Sequence, residues 1–412
     1  MKQRIIWATA GLAAAGLALS ACSSGGTDDA SGEKETISFL APEYSDATKG
    51  YWEDLIAAFE EENPTITVEL ESIAWTDIST KINTLVSTGE EPDILNLDSY
   101  VSFAADDLLR PAEEALGEDT YDDLIPALRD NATYDGTVYG IPFIASARAL
   151  FYNTALLDEA GVEPPTTWDE LLDAATAVQE ATGEIGYGLP MGSPEAYGEY
   201  SIWMWNNGGD WMTDGEWTIN SPENVEALQA AADMYNAGVT QESPWSTNRD
   251  DLFRLFGEGK IGIIEGAAFL PAVLESQDST IEYGIVPSPT NGDADSATLV
   301  VEDYLMVFKS SEHPEAASKF LQFFYAPENY TTFLMNEGML PVTQSAADAM
   351  AEDPVAGPFL DLLSSAKFYP TTTPSWPAVS QEAVSKLGLA ISGQESAQKV
   401  LDDLQTYAES QD

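Results

Sequence analysis

Two kinds of side chain in this sequence suggest chemistry in combination: indole rings, and carboxylates at the ends of apolar runs. Trp203, Trp205, Trp211 and Trp217 fall within fifteen residues, with Trp75, Trp245, Phe269 and Trp376 at loop or helix-start positions elsewhere. Asp98 follows the apolar run 94–97, Glu265 closes 261–264, and Glu302 with Asp303 follows Leu299-Val300-Val301. An indole face suits the C–H face of a pyranose, and carboxylates accept hydrogen bonds from its rim of hydroxyls. The same pairing suits an organic cation such as a polyamine or amino sugar. Ser146 and Arg148 share one side of an extended segment, and Tyr44 completes the candidate ligand-binding set. Each has a competing structural role: rings pack in cores, and carboxylates cap helices or face solvent. Trp52 and Trp168 fall in helical stripes or caps and are expected to be structural. Trp203 and Trp205 cannot both point inward on an ideal amphipathic helix, so two to four tryptophans are expected in the site.

Catalytic and metal chemistry find little support. His313 is the only histidine and Cys22 the only cysteine, and there is no G-x-S-x-G, so neither a serine triad nor a cysteine-based zinc cage is expected. Gly257-x-Gly259-x-x-Gly262 matches a dinucleotide fingerprint, but a helical pattern precedes it and a strand pattern follows, which reverses the required order. Asp293-Ala294-Asp295 and Asp210 with Asp214-Gly215 lack the spacing of a calcium loop. A secreted glycoside hydrolase also pairs tryptophans with carboxylates. Glu302 and Asp303, however, are neighbours that point to opposite faces of a strand, and no eightfold βα repetition is present. No catalytic residue, cofactor or metal is therefore assigned, and the chain is read as a binding protein rather than an enzyme.

The elements that must position these residues alternate between strands and helices. A strand is expected over 36–40, a helix carrying Tyr51, Leu55, Ala58 and Phe59 on one face, a strand over 65–70, a helix with Ile78, Ile82 and Leu85, and a strand over 94–97. This βαβαβ order predicts a mostly parallel sheet covered by helices. Later come a helix opened by Thr167 with Glu170 at capping-box spacing, strands over 261–264 and 281–286, and a helix begun by Pro314. A helical stretch over 376–408 follows, weakened at Gly388 and Gly393. No Pro- or Gly-rich linker separates consecutive domains, which suits two units interleaved in sequence.

Composition and the amino terminus set the setting. The 412 residues are 44% hydrophobic and carry a formal net charge of −54, enough to bury large cores in about two domains. Nucleic acid is excluded as a partner, because phosphate contacts need clustered Lys and Arg. Of the basic residues only Arg148, Arg249 and Arg254 are placed to approach a ligand, so a neutral or cationic ligand is expected, with negligible affinity for sugar phosphates or uronates. Met1-Lys2-Gln3-Arg4 and the apolar run 5–21 form a secretory signal. Leu19-Ser20-Ala21-Cys22 resembles the bacterial lipobox, which implies cleavage before Cys22 and a lipid on its sulfur. Residues 22–34 are rich in Ser, Gly and Asp and are expected to form a flexible tether.

Several motifs in shared order resemble the extracellular solute-binding proteins of ABC importers, the class that includes the maltose-binding protein. They are Gly89-Glu90-Glu91-Pro92-Asp93-Ile94, Tyr134-Asp135-Gly136-Thr137-Val138-Tyr139-Gly140-Ile141-Pro142-Phe143, and Leu150-Phe151-Tyr152-Asn153. Pro164-Pro165-Thr166-Thr167-Trp168-Asp169-Glu170-Leu171, Phe256-Gly257-Glu258-Gly259-Lys260-Ile261-Gly262, Pro314-Glu315-Ala316-Ala317 and Trp376 follow. The resemblance implies two doubly wound α/β lobes joined by three crossings, near 141–146, 297–301 and 339–343, with a carbohydrate held between them. It places 35–144 with 298–340 in the first lobe and 145–297 with 341–410 in the second. It also implies delivery to the permease subunits of an ABC importer, by a monomer held at the outer face of the cell membrane through its lipid alone. Many sugar binders of this kind have small residues where Val301-Glu302-Asp303 stands here.

Overall fold

A computed structural model describes residues 34–411; the signal, the lipobox and most of the tether lie outside them. The chain opens as expected, with strand Glu35–Glu43, helix Thr48–Glu62, strand Ile66–Ala74, helix Trp75–Thr88 and strand Ile94–Leu97. The first strand pairs in parallel with both of the others and lies between them. The Pro92-Asp93 turn has a local reason. Gly89, at φ 70°, ends the preceding helix in the left-handed conformation that glycine adopts without strain. Asp93 then accepts hydrogen bonds from the Ser38 backbone N–H (2.7 Å) and hydroxyl (2.8 Å), which locks the turn onto the central strand.

Two long strands connect the lobes. Ile141–Asn153 runs thirteen residues, and Thr298–Val307 lies antiparallel to its first half, from Leu305 opposite Ile141 to Val300 opposite Ala147. From Arg148 onward the first strand changes partner and pairs antiparallel with Ile261–Ala267 and Tyr283–Val286. Ser146 and Arg148 therefore sit where one strand passes from sheet to sheet. The third connection is pinned beside them: Leu340 exchanges backbone hydrogen bonds with Ala145 (2.8 and 3.1 Å), and Tyr330 donates to the Phe143 carbonyl (2.7 Å) while accepting from the Val342 N–H. The hairpin before the crossing turns through Asp135 and Gly136, both at positive φ. At Gly140, a Cβ would lie 2.8 Å from the rings of Tyr100 and Tyr304, so only glycine fits.

The sheet is mixed, not mostly parallel, because both crossing strands run against their neighbours. The second lobe adds strand Ile185–Gly188, parallel to Ile261–Ala267, and helices that include Trp168–Thr182, Ala196–Trp205, Pro222–Asn236, Trp376–Ile391 and Ala397–Glu409. Thr167 caps the first of these through Glu170 N–H, while the Glu170 carboxylate reaches back to Thr166, one residue beyond a standard capping box. Of the two weak points foreseen after Trp376, Gly393 breaks the helix and Gly388 stays inside it, where a Cβ would lie 2.7 Å from Trp245 Cβ. The core divides in three: one cluster on each face of the first-lobe sheet, one of them continuous with second-lobe residues through the crossing strands, and a tryptophan-rich cluster in the second lobe.

Candidate functional site

The cleft lies where the crossing strands meet. Its first recess, about 250 Å³, is lined by Tyr44, Trp75 and Asp303 from the first lobe and by Ser146, Arg148, Glu195, Tyr197, Arg249, Phe269 and Tyr369 from the second. A second recess of about 320 Å³ shares Tyr197, Val301 and Tyr369 with it and adds Asp98, Asn131, Glu302 and Trp376. Together the two fall in the size range of small-molecule sites, about 300–1,000 Å³. A separate recess of about 340 Å³ opens beside Met339, but its lining is mainly aliphatic and methionine side chains, with Tyr283 the single aromatic ring.

On the first-lobe wall the Tyr44 hydroxyl stands 2.7 Å from Asp303 Oδ2 and 3.0 Å from Asn96 Oδ1, with its ring edge-on to Trp75 at 5.4 Å. Burial pushes the Asp303 carboxyl up to about 7, with the nearby Asp98 charge adding to the rise. Asp98 is exposed on the second-recess side, yet enough protein surrounds it that its carboxyl is also raised. Strand alternation sends Glu302 the other way from Asp303, into the second recess. There Glu302 Oε2 accepts from Asn131 Nδ2 (3.0 Å) and Tyr304 (3.3 Å), while Oε1 is buried without a hydrogen-bond partner. Burial drives the Glu302 carboxyl well above the ordinary carboxylate range, against the lowering effect of the Asn131 and Tyr304 hydrogen bonds.

The second-lobe wall is cationic. Arg249 Nη1 lies 3.1 Å and Arg148 Nη2 3.9 Å from Glu195 Oε2, and both guanidiniums stand against the Phe269 ring, 5.3 and 5.9 Å from its centroid. Arg148 Nη1 also donates to Ser146 Oγ at 3.3 Å. Tyr197 and Tyr369, 4.9 Å apart, divide the two recesses, and Trp376 stacks on Tyr369 at 5.5 Å and 21°.

The structure thus brings together Tyr44, Trp75, Ser146, Arg148, Phe269 and Asp303 in one recess and Asp98, Glu302 and Trp376 in the other. It does not bring Trp203, Trp205, Trp245 or Glu265 to the cleft lining. Helix Ala196–Trp205 is covered on nearly every side, so Trp203 and Trp205 are both buried despite their spacing, which departs from the amphipathic expectation. Trp203 donates to Glu199 at 3.3 Å, and Trp205 to Asp210 at 3.1 Å. Trp245 packs on Tyr235 and over Gly388. Glu265 was expected to end its strand, but the strand continues to Ala267 and keeps Glu265 inside, where it accepts from Ser288 at 3.0 Å. Glu302 and Asp303 likewise fall within their strand rather than after it. Arg254 lies on the surface, paired with Glu258 at 2.7 Å. Glu195, Tyr197 and Tyr369 escaped the sequence reading, which weighted tryptophan over tyrosine. The Pro194-Glu195 and Tyr369-Pro370 steps at element ends were the available signal. Among the described residues no cluster of His, Cys, Asp or Glu is placed to hold a metal.

Known proteins share this architecture. A putative binding protein of Brucella abortus is 30% identical over 380 residues, covering 90% of this chain and 92% of its own. The cyclic alpha-maltosyl-1,6-maltose binding protein of Arthrobacter globiformis superposes with a TM-score of 0.80 at 24% identity, over 92% of this chain and 99% of its own. An ABC substrate-binding protein of Listeria monocytogenes, solved in complex with cycloalternan, gives 0.76 at 26% identity over 92% and 99%. The sequence profile of the bacterial extracellular solute-binding proteins matches residues 44–331. With its two α/β lobes and the cleft between them, the chain belongs to the bacterial extracellular solute-binding protein family.

Proposed function

We propose that this protein captures a carbohydrate between its lobes by hinge closure and delivers it to the permease of an ABC importer, from the outer face of the membrane where a lipid on Cys22 holds it. The observation that carries this reading is the double recess, in which Trp75, Tyr44, Tyr197, Tyr369 and Phe269 offer ring faces while Asp303, Asn131, Glu302, Ser146 and Arg148 offer a hydrogen-bonding rim. Rings with a polar rim match the two surfaces of a pyranose, and the waist between the recesses suits a ligand longer than one ring. The Listeria relative solved with cycloalternan supports a carbohydrate ligand. Two guanidiniums on one wall disfavour the polyamine reading. Groups from both lobes touch the ligand only when the lobes close, and that differential contact is what allows binding to drive the hinge. Calorimetry against mono-, di- and trisaccharides tests this: saturable binding without turnover is expected, whereas steady hydrolysis of the sugars, or binding of polyamines alone, contradicts it. For the anchor, Cys22→Ser is expected to release the protein or leave an uncleaved precursor. Unchanged membrane retention of a processed variant speaks against it.

A further inference from the structure

The chain has only six arginines among 412 residues, against 70 carboxylates, and two of them stand on one wall of the cleft. Arg148 comes from the first crossing strand and Arg249 from the start of helix Arg249–Gly257, a hundred residues later. Both guanidiniums converge on one point, the position of Glu195 Oε2, above the Phe269 ring. Their hydrogen-bonding capacity is underused. Arg148 is 7% exposed, and its 3.9 Å approach to Glu195 is too long for a hydrogen bond. Arg249 Nε is buried without a hydrogen bond, with Asp250 Oδ1 3.9 Å away.

The counter-charges are the more solvated partners: Glu195, whose side chain is 29% exposed, faces both cations, and Asp250, whose side chain is 86% exposed, lies 3.9 Å from Arg249 Nε. The acids behind Arg148 compensate poorly, since burial pushes Glu199 up to about 7 and Glu265 up to about 8. Cations whose counter-charges stand in solvent are costly to enclose, and become more so when closing lobes expel water.

Resting on the carbohydrate reading of the cleft, we infer that the sugar carries an acidic group, a carboxylate or a phosphate, seated between Arg148 and Arg249 over Phe269. Glu195 holds that place between the two guanidiniums and turns to solvent when the ligand's acid displaces it. Guanidinium forks suit this task because they donate in pairs to carboxylate or phosphate oxygens.

Calorimetry on the full protein, with each sugar offered as the neutral form, the uronate and the 6-phosphate, tests the inference. Acidic members are expected to bind at least tenfold tighter than their neutral counterparts. Uronate above phosphate assigns a carboxylate, and the reverse order a phosphate. Arg249→Gln is expected to weaken the acid at least tenfold more than it weakens the neutral form. Glu195→Gln, which removes the competing anion, is expected to tighten it. The pair of opposite shifts separates charge recognition from misfolding, which weakens every ligand alike. A neutral sugar that binds as tightly as its acid, or equal losses for both forms in Arg249→Gln, overturns the inference and leaves the carbohydrate reading intact. If no sugar of any form binds, the carbohydrate reading falls first and this inference falls with it.

Discussion

The second lobe holds two aromatic clusters, one sealed in its interior and one open to the cleft. In the interior, Trp203, Trp205 and Trp211 are buried, and each indole N–H has an acceptor: Glu199, Asp210 and Ser201. In the cleft, Tyr197, Tyr369 and Phe269 are only half-buried, and charged groups face them from the recess. The difference is one of satisfied against unsatisfied chemistry. A ring packed on all sides with its N–H paired has nothing left to offer a ligand, whereas a half-covered ring beside underused guanidiniums does. Trp376 joins the two clusters, packed against Trp211 and Trp217 inside and stacked on Tyr369 at the recess.

Substitution on the interior side should have the largest effect. Trp211 is fully buried and donates to Ser201 at 2.8 Å. Trp211→Ala is expected to cost about 3–5 kcal/mol of stability, on the scale of a large-to-small change in a packed core. Denaturant titration reads this loss. A loss below about 1 kcal/mol would mean that the interior cluster is not the packed core described here.

The buried acids below the cleft give the next effect. The folded protein keeps a proton on Glu265 up to about pH 8, whereas an unfolded glutamate releases it near pH 4.3. Between those values the folded state binds more protons, so stability falls as pH rises and levels off above about pH 8. Glu265→Gln keeps an acceptor for Ser288 but removes the titration. Its stability is expected to match the parent near pH 4.5 and to exceed it by about 1–3 kcal/mol near pH 8.5. Thermal unfolding across this range checks it, and a constant offset between the two proteins contradicts it.

How far these roles were readable in the sequence follows the same division. The βαβαβ opening, the Pro92-Asp93 turn and the hairpin before the first crossing were legible because local chemistry fixes them: a left-handed glycine, an Asp that bonds the neighbouring strand, an Asp-Gly turn. Ser146 and Arg148 were legible from alternation along a strand. Trp203 and Trp205 were misjudged because amphipathic reasoning assumes one solvent face, and helix Ala196–Trp205 lacks one. Glu265 was misjudged because a strand's end depends on its partners, and pairing with Leu150, Ala149 and Arg148 carries this strand three residues past Ile264. The expectation of a neutral or cationic ligand rested on Arg148, Arg249 and Arg254 being the only cations within reach of it; folding leaves Arg254 on the surface and sets the other two side by side on one wall, a pairing that no count reveals.

On the cleft side, effects on binding should be smaller and should leave stability nearly intact. Trp75 is half-buried at the first recess, and Trp75→Ala is expected to cost about 1–3 kcal/mol of ligand binding, as an aromatic anchor does. Calorimetry with the bound sugar checks it, and an unchanged affinity would remove Trp75 from the site. The smallest effect belongs to Arg254, exposed and paired with Glu258. Arg254→Ala should alter stability by less than about 1 kcal/mol and binding not at all.

Closure of two lobes on a sugar is the central claim, and small-angle scattering measures it directly. With the tightest-binding carbohydrate at saturation, the radius of gyration is expected to fall below that of the ligand-free protein, because residues of both lobes must meet the ligand at once. An unchanged radius at saturation would contradict capture by hinge closure.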